Sequence, residues 1–219
     1  ALATIGALEF NEGDCEAALR TLREYLDRYP DTSWTWVAWI RTGQCEEAAG
    51  NTNAAIDAFR RAANAGPDAR PAQVRGHAYA GRVFESMGEV ASARDEYARA
   101  LGAWDNRFGR AYSTYVRVPA NPHDPFSLGP DTAEVAKAWL VDRGARLTRA
   151  LTTPGGDLLA QARALLERGE FETAEVAARR FLSEHPASVL AAEGRYALHL
   201  ARLERALALA NVERPGHDR

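Results

Sequence analysis

The sequence predicts an all-α fold, an array of stacked helix hairpins, and three observations carry that prediction. GDCEAALRTLREYLDRYP, beginning at Gly13, returns in altered form as GNTNAAIDAFRRAANAGP at Gly50, GEVASARDEYARALGAWD at Gly88 and GEFETAEVAARRFLSEHP at Gly169. In each copy Ala follows the glycine five residues later, at Ala18, Ala55, Ala93 and Ala174. The glycines stand 37, 38 and 81 residues apart (13 to 50, 50 to 88, 88 to 169), the last interval being about two periods. Self-similarity at such a period marks supersecondary units that bury their apolar faces on one another.

The elements follow in order. From Asp14 to Tyr29, the residues Ala18, Leu19, Leu22, Tyr25 and Leu26 recur at steps of three and four, which marks one face of a helix. Gly6, Gly43 and Gly81 fall mid-helix, where glycine costs about 1 kcal/mol against alanine. That cost is tolerable where a missing side chain lets a neighbouring helix approach. A short aromatic helix (Phe108, Tyr112, Tyr115) leads into VPANPHDPFSLGPD, residues 118–131, whose Pro119, Pro122, Pro125 and Pro130 interrupt regular structure. Asp131 and Glu134 have the spacing of a capping box for a helix running to about Leu151. TTPGGD marks a second break. A final helix from about Ser188 to Asn211 is expected to cap the array, and VERPGHDR is expected to fray. The organisation is thus 1–105, N-terminal repeats; 106–154, a degenerate unit with the inserted loop 118–131; 155–211, the last repeat and cap; and 212–219, a tail.

The second copy places Trp39 and Gly43, then Ala55, Phe59, Ala62 and Pro67; the third places His77, Ala80, Gly81 and Phe84, then Ala93, Tyr97 and Ala100. In these places the chain resembles the tetratricopeptide repeat family over most of its length. It departs where Asp105 replaces the closing proline and where the first copy lacks its beginning. The resemblance implies a right-handed superhelix of antiparallel hairpins, with a concave groove lined by the first helix of each repeat. The YLDRYPDT and FLSEHPAS turns look like those of bacterial envelope members of the family, of the Tol-Pal coordination and outer-membrane assembly kind.

Composition excludes several classes. A hydrophobic share of 46% and a charged share of 26% suit a globular chain, and a net charge of -3 provides no broad basic field for nucleic acid or anionic lipid. No apolar run approaches the roughly 20 residues that span a bilayer. YALHLARLERALALANV is broken by Arg202, Glu204 and Arg205. The chain opens at Ala1 within a helical pattern, which is compatible with removal of a targeting segment.

Candidate binding residues come from two sources. Transferring the family's lining places yields Phe10 and Asn11; Val37, Ile40, Gln44 and Glu47; Arg75, Ala78, Arg82 and Glu85; and Leu159, Arg163 and Glu167. Such a groove suits an amphipathic helix or extended peptide, with Arg75 and Arg82 meeting a carboxylate. The loop 118–131 is the other source. Its prolines favour a preordered polyproline II shape, and Pro122 and Phe126 are its expected contacts, against a plain spacer as the alternative. Trp39 reads as core. Trp34 and Trp36 either fill the joint between units or anchor a partner.

Cys15 and Cys45 lie symmetrically about Pro30, at the turn between two helices, so antiparallel packing brings them to one height. Either a disulfide or two separate buried thiols follows, depending on helix phase. A bond would argue for an oxidising compartment. Among His77, His123, His185, His199 and His217 there is no zinc-site spacing, and His77 reads as a packed histidine. His123 beside Asp124 is weak evidence for a metal or a base. No phosphate-binding glycine loop or nucleophile elbow is present.

The expectation is a noncatalytic scaffold, without cofactor or metal, that binds a protein or peptide and belongs to the periplasm or cell envelope, as a possible member of a larger assembly. The alternatives are a cytoplasmic adaptor or permanent subunit of a complex, and an enzyme with an unfamiliar site.

Overall fold

The computed structural model describes residues 2–65, 70–104 and 133–212. Among them every regular element is a helix: α1 (Leu2–Asn11), α2 (Cys15–Arg28), α3 (Thr35–Ala48), α4 (Thr52–Ala63), α5 (Arg70–Ser86), α6 (Val90–Gly102), α7 (Ala133–Thr152), α8 (Gly156–Glu167), α9 (Phe171–Glu184) and α10 (Ala191–Val212). The loop bearing Pro122, His123, Asp124 and Phe126, together with Asp131, lies outside the described residues.

The glycines that set the period sit where one helix turns into the next. Gly13, Gly50, Gly88 and Gly169 have φ of 84°, 78°, 78° and 75°, a left-handed conformation that glycine adopts without steric cost. The glycine therefore recurs for a backbone reason. The mid-helix glycines have a packing reason. A Cβ on Gly43 would stand 2.5 Å from Phe59, one on Gly81 2.6 Å from Tyr97, and one on Gly6 2.8 Å from Leu22. A large side chain of each second helix, an aromatic in two hairpins and Leu22 in the first, thus closes directly on the glycine of the first helix. The first hairpin also has its opening helix, α1, which packs on α2; its missing sequence signal reflects lost side-chain identity rather than a lost element.

The chain divides into two compact units, one comprising residues 1–83 and 94–144, the other 84–93 and 145–219. In the first, Ala18, Leu22, Tyr25, Leu26, Ala38 and Cys45 form a buried cluster with Phe10, Leu19 and Trp39 against it. Further along, Phe59 stacks on Tyr79 at 5.2 Å and Tyr97 meets Trp139 edge-on at 5.4 Å. In the second unit Leu159, Ala162, Ala178, Phe181, Leu190 and Ala197 form the core. Each such aromatic adds about 0.5–1.5 kcal/mol beyond its buried area when paired.

Cys15 and Cys45 are joined in a disulfide with Cα atoms 5.2 Å apart, linking the start of α2 to α3. At the other end of that pair, Tyr25, Thr32 and Thr35 share a hydroxyl network: the Thr32 amide donates to Thr35 Oγ1 at 3.0 Å and Thr35 donates to the Tyr29 carbonyl at 3.2 Å. Asp14 caps α2 by accepting from the Ala17 amide at 2.9 Å.

Candidate binding faces

In the first unit α1, α3 and α5 are the opening helices of successive hairpins, and side chains on α3 link them pairwise. The Arg41 guanidinium lies 4.3 Å from the centre of the Phe10 ring, a cation–π contact between α3 and α1. Arg41 also donates to Gln44 Oε1 at 2.9 Å. One turn further, Glu47 accepts from Arg82 of α5 at 2.5 Å, and the Arg82 guanidinium sits 5.0 Å from the Tyr79 ring. The row reads Phe10, Arg41, Gln44, Glu47, Arg82. Its side chains are partly exposed apart from Arg41, which is buried.

Of the residues anticipated here, Phe10, Val37, Gln44 and Arg82 are half-buried and reach the surface. Ile40 and Arg75 are each only 5% exposed and present almost no area to a partner. Ala78 is buried as well. Helix phase explains the division. Val37 and Ile40 stand three residues apart, a step of 300°, so the rim side chain and the inward one are neighbours. Arg41 escaped the sequence reading, although its place one turn beyond Val37 and one before Gln44 was the available signal.

The second unit has a cleft of its own. Val90, Leu147, Ala150, Ala160 and Ala164 provide apolar walls, and Glu85, Arg146, Arg163 and Glu167 are charged groups beside them. Three residues anticipated as lining places, Glu85, Arg163 and Glu167, converge here. Arg146 lies 3.6 Å from Glu85, and Arg163 is paired with Glu193. A ligand carboxylate would have to exchange with these glutamates.

Two buried carboxylates went unseen in the sequence. Glu96, with 1% of its side chain exposed, accepts from Arg60 at 2.7 and 2.9 Å, from Arg99 at 3.0 Å, and lies 2.7 Å from His77 Nδ1. Burial pushes the Glu96 carboxyl up, but hydrogen bonds from His77 and Arg60 outweigh it and hold the carboxyl below its ordinary value. His77 is thus a packed histidine with a carboxylate partner. Glu175 of α9 accepts from Arg179 at 2.5 Å, from Arg202 at 2.9 Å and from Arg205 at 3.3 Å, tying α9 to α10. The Arg202 hydrogen bond leads in holding its carboxyl low, against the opposing effect of burial. These are fastenings between helices. No group of three or more histidine, cysteine or acidic side chains among the described residues is placed to hold a metal. No described helix is long and apolar enough to cross a membrane.

Trp39 rests half-buried on the N-terminal core with Arg61 4.9 Å from its ring. Trp34 precedes α3 and is 42% exposed, while Trp36 is half-buried.

Residues 3–117 match the tetratricopeptide repeat-like domain, more than half of the chain, and residues 158–188 match the tetratricopeptide repeat. The chain belongs to the tetratricopeptide repeat-like family. Members of this family generally serve as scaffolds for protein interactions. A solved tetratricopeptide repeat protein from Parabacteroides merdae ATCC 43184 is similar at 16% identity, over 97% of this chain and 76% of that one, with a TM-score of 0.43. No curated protein matches.

Proposed function

We propose that this tetratricopeptide repeat protein is a noncatalytic scaffold whose first unit receives an extended or helical segment of a partner protein along α1, α3 and α5. The observation that carries this reading is a pair of linkages along successive opening helices, Phe10–Arg41–Gln44 between α1 and α3 and Glu47–Arg82 between α3 and α5. It offers an aromatic ring, an amide and a guanidinium in sequence. A segment with an apolar side chain for Phe10 and Val37 and a carboxylate for Arg82 matches that order. Arg82 already donates to Glu47, so the partner's carboxylate competes for a preoriented guanidinium rather than ordering a loose one.

The test is capture from extracts with the wild-type chain and with a variant carrying V37A, Q44A and R82A together. Proteins retained by the first and lost by the second, at equal helicity and melting temperature, support the assignment. Equal retention by both overturns it.

The Cys15–Cys45 disulfide supports residence in an oxidising compartment, the periplasm or cell envelope, rather than the cytoplasm. Thiol titration of protein denatured without reductant directly from its native host checks this: no reactive thiol is expected, and two would return the chain to the cytoplasm.

A further inference from the structure

The cleft of the second unit is anionic at one end, and that end lies where two helices stop. Glu85 stands in the last turn of α5 and Glu167 is the final residue of α8, and neither last turn contains a basic side chain. Carbonyls left open at a helix C-terminus favour cations, so a glutamate there adds to a negative potential instead of offsetting it. The two ends are held side by side. Arg168 donates to the Ser86 carbonyl at 2.8 Å, and the left-handed Gly88 turn rests on Gln161 of α8. Arg168 is also paired with Glu170 at 2.6 Å, and Arg146 lies 3.6 Å from Glu85. That leaves Glu167, whose carboxylate has no ion-pair or hydrogen-bond partner among the described residues. Arg163, one turn back on α8, is paired with Glu193 of α10.

We propose that this cleft receives one lysine side chain of a partner protein, independently of the row along α1, α3 and α5. Charge selects the occupant. An incoming ammonium meets a carboxylate that no arginine holds, whereas an incoming carboxylate would first have to displace Glu85 or Glu193 from its arginine. Size selects it further. The cleft's volume of about 50 Å³ is several times the roughly 10–15 Å³ that admits one water, so it takes a single side chain. Val90, Leu147, Ala150, Ala160 and Ala164 provide an apolar wall for the methylenes of a lysine. A compact ammonium also needs less width than a planar guanidinium.

Nα-acetyl-lysine N-methylamide, titrated into the isotope-labelled whole chain and followed by amide chemical shifts, tests this. Saturable shifts are expected at Glu85, Val90, Ala164 and Glu167, with a dissociation constant of about 1 mM for so small a ligand. The norleucine analogue, which keeps the stem and lacks the charge, should bind about fivefold more weakly or worse. E167Q should weaken the lysine probe about tenfold at unchanged melting temperature. A160L, which fills the cleft from a partly exposed position, should abolish the saturable shifts. Shifts that never saturate, that persist in A160L, or that saturate equally with the norleucine analogue or in E167Q overturn the proposal. Tighter binding of the corresponding glutamate or arginine analogue also overturns it.

Discussion

Helices α2 and α9 occupy the same place in their repeats, yet they are fastened to their neighbours by different chemistry. Near its start α2 is bonded covalently to α3 through Cys15 and Cys45, and near its end the Tyr25, Thr32 and Thr35 hydroxyls close the turn. Helix α9 has no covalent tie to α10. Glu175 gathers three arginines from α9 and α10, and the Phe181 ring fills the space that Gly194 leaves. The repeat frame demands only a glycine at the turn and a small residue opposite an aromatic. What locks each hairpin is left to local invention, so the two ends should answer to different perturbations.

The largest effect expected is common to both. F59A in the first unit and F181A in the second each remove a ring that is 0% exposed, at a cost of about 3–5 kcal/mol. Urea unfolding should show both losses; a cost below about 1 kcal/mol at either site would mean that the glycine–aromatic contact is not what holds the hairpin. Reduction of the disulfide comes next. It releases a loop with a sequence separation of 30 residues, worth about 3–4 kcal/mol on the chain-entropy account. Hydrogen exchange should then quicken in α1 to α3 and stay unchanged in α8 to α10, and equal quickening in both would erase the contrast.

Carboxylate replacement ranks third. E96Q leaves His77 and two arginines around a neutral amide, and because Arg60 and Arg99 remain 45% and 57% exposed the loss should be modest, about 1–2 kcal/mol. Its sign with pH is set by the depressed carboxyl. The stabilisation is complete above the ordinary value of 4.5 and is lost as pH falls below it toward the lower folded-state value, so the gap between wild type and E96Q should close in acid. A gap that widened below pH 4.5 would contradict the assignment. E175Q should have the smallest effect, falling further in high salt, since the Glu175 side chain is 9% exposed against 1% for Glu96 while the arginines around both are similarly open to solvent. A loss at Glu175 equal to that at Glu96 and insensitive to salt would show that the two fastenings are alike after all.

Much of this was legible before any coordinates. The four copies located α2 to α6 and α9 through their glycines, alanines and aromatics, because these report on backbone conformation and close packing, which are local. The pairing of Cys15 with Cys45 was one of two readings, since their equal distance from Pro30 sets height along the hairpin but leaves the facing direction open. Ile40 and Arg75 looked like surface, and both proved to be buried. Glu96 could not have been singled out: Arg60 lies 36 residues away and His77 19, on two other helices. Arg41 was missed for a similar reason, because its partner ring belongs to α1.

The sequence alone determined that this chain would be helical, where its turns would fall, and which small and aromatic residues would meet within a hairpin. Those outcomes depend on φ at a few glycines and on steps of three and four residues. Tertiary structure decided which charges are neutralised, which lining places reach solvent, and that α10 turns leucines outward. Each of these depends on the rotation of one helix against another, where a single residue shifts a side chain by 100° and no local pattern records the result.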